Sequence, residues 1–318
     1  MYIGIDLGGT NIAAGLVTDN GELKFQSSLP TKPERGSEDV IKDVIRIIKI
    51  TVSNIPDNGE ELSGIGIGIP GYIISNTDNL VYCVNLGWEN VDLKRNIERE
   101  FDLPVYIEND AKAAALAEFM VGSLKGTRNS LLITLGTGVG GGIIVNGQLY
   151  RGANGEASEI GHMIVGENFY NCNCGKNGCL ETFASATALI KYTKKLINDN
   201  NEDTIIMDRL KGNLDLLEAK VIIECAQQGD ALSLKVVDRF IHYLVIGISN
   251  LVNILDPELI ALGGGVSKSG GYLLELIDRN IASNDSFRNV RNRRIITAAL
   301  GNEAGIVGAA MLCKYMNL

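Results

Sequence analysis

The segment NCNCGKNGCLETF places three cysteines, Cys172, Cys174 and Cys179, within eight residues, with Glu181 two positions beyond the last. Cys-x-Cys closes too tight a ring for an unstrained disulfide, and it lacks the Cys-x-x-Cys spacing of a redox pair. Thiolate ligation of a metal ion is the remaining chemistry. The chain has two histidines. His242 lies in the helical run RFIHYLV and is expected to pack, whereas His162, in SEIGHMIV, stands ten residues before Cys172. Three thiolates and one imidazole form a closed tetrahedral set, the structural type of zinc site. His162, Cys172, Cys174 and Cys179 are therefore read as ligands of a structural Zn²⁺ ion, with Gly175 and Gly178 letting the loop wrap it. The plain alternative is a reduced, metal-free loop. Cys83, Cys225 and Cys313 are scattered and read as small buried apolar residues.

Three glycine turns form a second group. GGTN (8–11), LGTGVGGG (135–142) and LGGGVS (262–267) each follow a strand-like run. Glycine there lets the backbone approach a ligand closely and offers N–H groups to phosphate oxygens. Tight turning alone is the other reading of any single one. The Gly-Lys-Ser/Thr of a Walker loop is absent, and no turn has the dinucleotide spacing. In IENDAKAAALAEF, Asn109 and Asp110 stand where a strand gives way to a helix. Such residues cap helices, and a carboxylate at the C-terminal end of a strand in an α/β fold also lies where ligands bind.

The elements that must carry these groups alternate. YIGID runs into the first glycine turn, then into a second strand, IAAGLVT, and an Asn20-Gly21 hairpin turn. LLITLGTGVGGGIIVNGQL (131–149) repeats strand, glycine turn, strand and Asn-Gly turn in the same order, which reads as an internal duplication. Residues 38–55 and 110–122 have helical periodicity, residues 62–73 and 103–108 read as strands, and further helices lie at 188–199, 218–228, 231–255 and 305–316. The result is an α/β architecture with sheets covered on both faces. At 318 residues the length favours about two domains.

A net charge of −9 offers no electrostatic grip on nucleic acid or an anionic membrane. MYIGIDLGGT lacks the basic start and apolar run of a leader peptide, and the apolar stretches are too broken by glycine to span a bilayer. A soluble, cytoplasmic protein with neither a nucleic-acid nor a membrane partner is expected.

DLGGTNI, LGTGVGGGIIVNGQL, LIALGGGVS and ALGNEAGIVGAA occur in the order found in the ROK family of sugar kinases and repressors, and the chain resembles that family over nearly its whole length. The resemblance extends to VNLGW (84–88) and CNCGKNGCLETFASATA, which look most like the glucokinases of Gram-positive bacteria. It implies two duplicated ribonuclease-H-like domains of the sugar kinase–actin–Hsp70 superfamily, with a cleft between them. The expected boundaries are a small domain of residues 1–120 with the terminal helix 303–318, and a large zinc-bearing domain of residues 121–302. Family members form dimers or tetramers, so a homo-oligomer is expected.

It further implies ATP-dependent phosphorylation of a hexose, most simply glucose, with Mg²⁺ as cofactor. By resemblance Asp110 is the general base, and Gly71, Asn85, Asn109, Glu159, His162 and Glu181 contact the sugar. The ATP phosphates would lie on Gly8, Gly9, Thr10, Asn11, Gly136, Thr137, Gly138, Gly264 and Gly265, with Asp6 near Mg²⁺. Trp88 reads as a packing residue. One departure stands out: family glucokinases commonly have glycine where this chain has Ser158, before Glu159. If that position needs a glycine-only conformation, the serine strains the backbone. The sugar remains open among glucose, N-acetylmannosamine, N-acetylglucosamine, mannose, allose and fructose. A sugar-sensing repressor is the alternative outside the enzyme class; family repressors carry an N-terminal winged helix before the first strand, and here Asp6 stands near the start. An actin- or Hsp70-like ATPase would not have the zinc clip.

Overall fold

The computed structural model describes residues 1–56, 61–73, 80–200, 204–291 and 293–317. The chain forms two compact units: Met1–Leu132, Gly142–Ser158 and Ala298–Leu318 make the first, and Ile133–Gly141 with Glu159–Thr297 the second.

The first unit is built on a five-stranded sheet. Its strands are β1 (Tyr2–Leu7), β2 (Asn11–Val17), β3 (Leu23–Pro30), β4 (Ile65–Ile69) and β8 (Val105–Asn109), in the order β3-β2-β1-β4-β8. The first three are antiparallel neighbours; β4 and β8 join in parallel. Between β4 and β8 lie a small antiparallel sheet, β5 (Tyr72–Ile73), β6 (Val81–Cys83) and β7 (Trp88–Val91), and helix α2 (Leu93–Phe101). Side chains alternate across β1. Ile3, Ile5 and Leu7 share a core with Val40, Val44, Ile47 and Ile48 of α1 (Ser37–Val52). On the other face α10 (Ala304–Met316) packs on β1, β4 and α3 (Asp110–Met120). Glycines allow that approach: a Cβ on Gly4 would overlap the Ile306 carbonyl, and one on Gly66 the Ala309 carbonyl. The YIGID and IGIGI patterns thus encode a helix pressed against backbone. Helix α3 is buried on every side from Ala111 to Glu118, which is why alanine dominates it.

A second five-stranded sheet comprises β9 (Ser130–Leu135), β10 (Val139–Val145), β11 (Gln148–Leu149), β12 (Leu259–Gly263) and β13 (Arg294–Thr297), in the order β11-β10-β9-β12-β13. Matching β1, β2, β3, β4 and β8 with β9, β10, β11, β12 and β13 gives the same order, so the duplication read from the glycine turns extends to whole sheets. Where the copies differ is the hairpin. Asn146 and Gly147 both take positive φ, at 53° and 79°, in a two-residue turn. Asn20 does not; Thr18 N–H bonds the Glu22 carbonyl across a wider loop in which Gly21 alone is left-handed.

In the second unit, α8 (Ala231–Leu255) is the central helix, contacted by α4 (Glu181–Ala184), α5 (Ala186–Asn200), α7 (Ala219–Gln227) and α9 (Gly271–Ser283). A short helix, α6 (Ile205–Arg209), contacts α7. No helix among the described residues is long and apolar enough to cross a membrane.

Candidate active site

In the first unit, β8 ends at Asn109 and α3 begins at Asp110. Asn109 Oδ1 accepts from the Ala111 and Lys112 N–H groups at 3.0 and 3.1 Å, and its Nδ2 donates to the Gly71 carbonyl at 3.1 Å. The asparagine is thus a helix cap and also a tie to the IPG turn. It keeps one N–H to offer a ligand. Gly71 nests against β6, where a Cβ would overlap the Tyr82 carbonyl. Asp110 is half-buried, and its Oδ1 accepts from the Ala111 N–H at 2.7 Å. The carboxylate stands in the first turn of α3, at the N-terminal end of the helix.

The first glycine turn joins β1 to β2. Gly8 N–H donates to the Asn11 carbonyl at 2.9 Å, while fully buried Thr31 donates to the Gly8 carbonyl at 2.7 Å through Oγ1 and to the Thr10 carbonyl at 2.8 Å through its N–H. Thr10 and Asn11 stay exposed. Asn85 lies 3.9 Å from where a Gly9 Cβ would be. Asp6 ends beside Gly305, where a Cβ would overlap its Oδ2, and burial pushes its carboxyl up. Trp88 is 1% exposed and packs in the main hydrophobic core of the first unit, as the sequence indicated.

In the second unit the cysteine loop is assembled. His162 Nδ1 lies 3.6 Å from Cys172 Sγ, and Cys174 Sγ lies 3.6 Å from Cys179 Sγ. All four ligand atoms fall within 4.8 Å of one another. A tetrahedral Zn²⁺ with bonds of about 2.3 Å to sulfur and 2.0–2.1 Å to nitrogen sets its ligands about 3.6–3.8 Å apart, so the group fits zinc. Burial and the neighbouring thiols push Cys179 up to about 12, and burial raises Cys172; a bound cation would displace those protons. Left-handed Gly178 passes so near the Gly166 carbonyl that a side chain has no room.

The same loop sets the carboxylates. With Nδ1 toward the thiols, His162 turns Nε2 to Glu159, 4.0 Å from its Oε2. Glu181 has Oε1 3.7 Å from Cys172 Sγ, while its Oε2 accepts from the Val139 N–H at 3.1 Å. It therefore couples the cysteine loop to the second glycine turn, where a Cβ on Gly138 would overlap that carboxylate. The turn is tied to the start of α5: Ala186 N–H donates to the Gly136 carbonyl at 2.8 Å and Thr187 Oγ1 to the Thr137 carbonyl at 2.7 Å. Gly264, φ 84°, lies against the backbone of Leu135, and Gly265 beside it has open space around its Cα. Sequence reasoning missed Thr31 and Thr187, and it missed Arg239. That guanidinium lies over the rings of Phe183 and Tyr192 at 4.6 and 4.3 Å, and donates to Asn168 Oδ1 at 2.9 Å, backing the cysteine loop.

Two duplicated ribonuclease-H-like domains with glycine turns after their first strands are the architecture of the sugar kinase–actin–Hsp70 class. The chain belongs to the ROK family, whose sequence profile matches residues 2–316. It is 40% identical to the glucokinase of Halalkalibacterium halodurans over 98% of this chain and 94% of that protein. It is 33% identical to the xylose repressor of Caldicellulosiruptor bescii, over 99% of this chain and 78% of the repressor. Among solved structures, the ROK family glucokinase of Streptomyces griseus, in complex with glucose and AMPPNP, has a TM-score of 0.84 at 34% identity, covering 99% of each chain.

Proposed function

We propose that this protein is a glucokinase, transferring the γ-phosphoryl group of Mg·ATP to O6 of glucose. Asp110 accepts the proton of the attacking hydroxyl. Asn109 and Gly71 hold the same end of the sugar, with Asn85 beside the first phosphate turn. Glu159, His162 Nε2 and Glu181 accept from and donate to the hydroxyls near C1–C3; a carboxylate that takes two hydroxyls discriminates among epimers. The glycine turns at 8–11, 136–138 and 264–265 receive the phosphates through backbone N–H groups. Asp6 would hold Mg²⁺ or its waters, which would supply charge neutralisation at the phosphates, and His162, Cys172, Cys174 and Cys179 would hold a structural Zn²⁺ that would brace the loop leading to Glu181. Catalysis is then positioning plus charge stabilisation.

The observation that carries this reading is the 40% identity to a glucokinase along nearly the whole chain, supported by the half-buried Asp110 carboxylate at the start of α3. A second reading, a sugar-responsive regulator, is favoured by the 33% identity to a xylose repressor. ADP release with Mg·ATP against a panel of hexoses and N-acetylhexosamines tests both. A large glucose-dependent rate supports the kinase. Sugar binding with no turnover on any member overturns it in favour of the regulator.

A further inference from the structure

The segment 151–158, RGANGEAS, runs directly into Glu159 and is built unlike an ordinary surface loop. Gly152, Ala153, Asn154 and Glu156 are exposed, and Gly152, Gly155 and Ser158 take left-handed φ values of 72°, 80° and 73°. Within the segment, Ala157 N–H donates to the Arg151 carbonyl at 3.1 Å, closing it into a loop. Two buried charged groups reach to it. Lys112, in the alanine-rich helix α3, is 1% exposed and donates through Nζ to the Gly155 carbonyl at 2.5 Å. Glu108, at 5% exposure the neighbour of Asn109, accepts from Arg151 Nε at 2.5 Å through Oε2 and from the Asn109 N–H at 3.0 Å through Oε1. Arg151 also lies over the Tyr315 ring, 5.7 Å from its centroid, and the Tyr315 hydroxyl accepts from the Leu149 N–H at 3.0 Å.

Burying an ammonium and a carboxylate costs stability unless the groups are well paired, and an apolar residue in either place would be cheaper. Stability of the core therefore does not account for them. Their common feature is where they connect: both start within two residues of Asp110 and both end on the segment that delivers Glu159. We propose that Lys112, Glu108 and Arg151 are positioning residues that clamp residues 151–158 to the strand–helix turn bearing Asp110 and so set the affinity for the sugar. None of the three touches substrate in this account; they act through the backbone of Gly155 and Asn109. The proposal rests on the kinase reading for its sugar, while the clamp itself is a property of the first unit.

The test uses the full-length protein and the variant Lys112→Met, which keeps the length of the side chain and removes the donor. Amide hydrogen exchange across 151–158 is expected to quicken at least tenfold, with exchange in β8 unchanged. The KM for glucose is expected to rise at least fivefold, while kcat and the KM for ATP stay within twofold. Arg151→Met is expected to give the same pattern, and Arg151→Lys, which can still donate to Glu108, to recover most of the affinity. This pair decides the matter if Lys112→Met does not fold. Unchanged exchange across 151–158 in the folded variants overturns the clamp. A loosened segment with an unchanged glucose KM overturns its link to affinity. If the wild-type protein phosphorylates no hexose, the kinase reading fails, and the exchange rates alone judge the clamp.

Discussion

Ser158→Gly should raise stability. The serine takes φ 73°, where an L-residue costs about 1 kcal/mol. Glycine removes that cost but returns roughly 0.4–1 kcal/mol of entropy to the unfolded chain. Little else is lost, because the serine hydroxyl lies 3.4 Å from the Tyr150 carbonyl, a long hydrogen bond. The net gain is about 0.3 kcal/mol, or roughly 0.5 °C in Tm for a chain of this size. Differential scanning calorimetry of three proteins isolates the backbone effect: wild type, Ser158→Gly and Ser158→Ala. The alanine variant loses the hydroxyl and keeps the strain, so its Tm should be no higher than wild type. The chain path into Glu159 is retained in both, so the KM for glucose should stay within twofold. An alanine variant that gains as much as the glycine variant, or a glycine variant that melts lower, refutes the strain argument.

Asp230 caps α8 through the Ser233 N–H and Oγ at 2.9 and 2.6 Å and also accepts from Thr204 Oγ1 at 2.9 Å and Ile205 N–H at 3.1 Å. Losing the cap and stranding those donors makes Asp230→Ala about 2–3 kcal/mol less stable in urea titration. Burial raises the Asp230 carboxyl, but the hydrogen bonds outweigh it and hold the group below its usual value. The stability gap between wild type and Asp230→Ala is therefore fully present above about pH 4 and closes as pH falls through the lowered native value. Stripping metal with a chelator should lower Tm and raise the KM for glucose together, since the ion's ligands would include His162 and Cys172, which lies 3.7 Å from Glu181. A stripped protein with normal melting and normal glucose affinity contradicts the zinc assignment.

Much of this was legible because the informative signals are local. Glycine turns, the END triplet and the cysteine spacing each lie within a dozen residues, and the period of two along β1 sorts its faces without help. The three-stranded β5-β6-β7 sheet was not legible. Its strands are two to four residues long, and its pairs, Tyr72 with Tyr82 and Cys83 with Trp88, are set by packing rather than pattern. The Asn20-Gly21 turn shows how one dipeptide serves two loop lengths, since the flanking strands decide whether asparagine must go left-handed. The clamp was hidden for a different reason: Lys112 meets Gly155 across 43 residues, as Glu108 meets Arg151. A lysine among the alanines of a helix buried from Ala111 to Glu118 was the available signal. Sequence reading also framed Asn109 as either cap or ligand, while its amide caps α3 and still retains a donor.

The central claim is that Asp110 is the base of a glucose kinase. Its most direct test is Asp110→Asn, measuring ADP release at saturating glucose and Mg·ATP alongside glucose binding followed by the fluorescence of the single tryptophan. A general base contributes roughly 10²–10⁴-fold. A fall in kcat of at least about a hundredfold is expected on that scale, with glucose affinity nearly unchanged. A variant that turns over at close to the wild-type rate would contradict it.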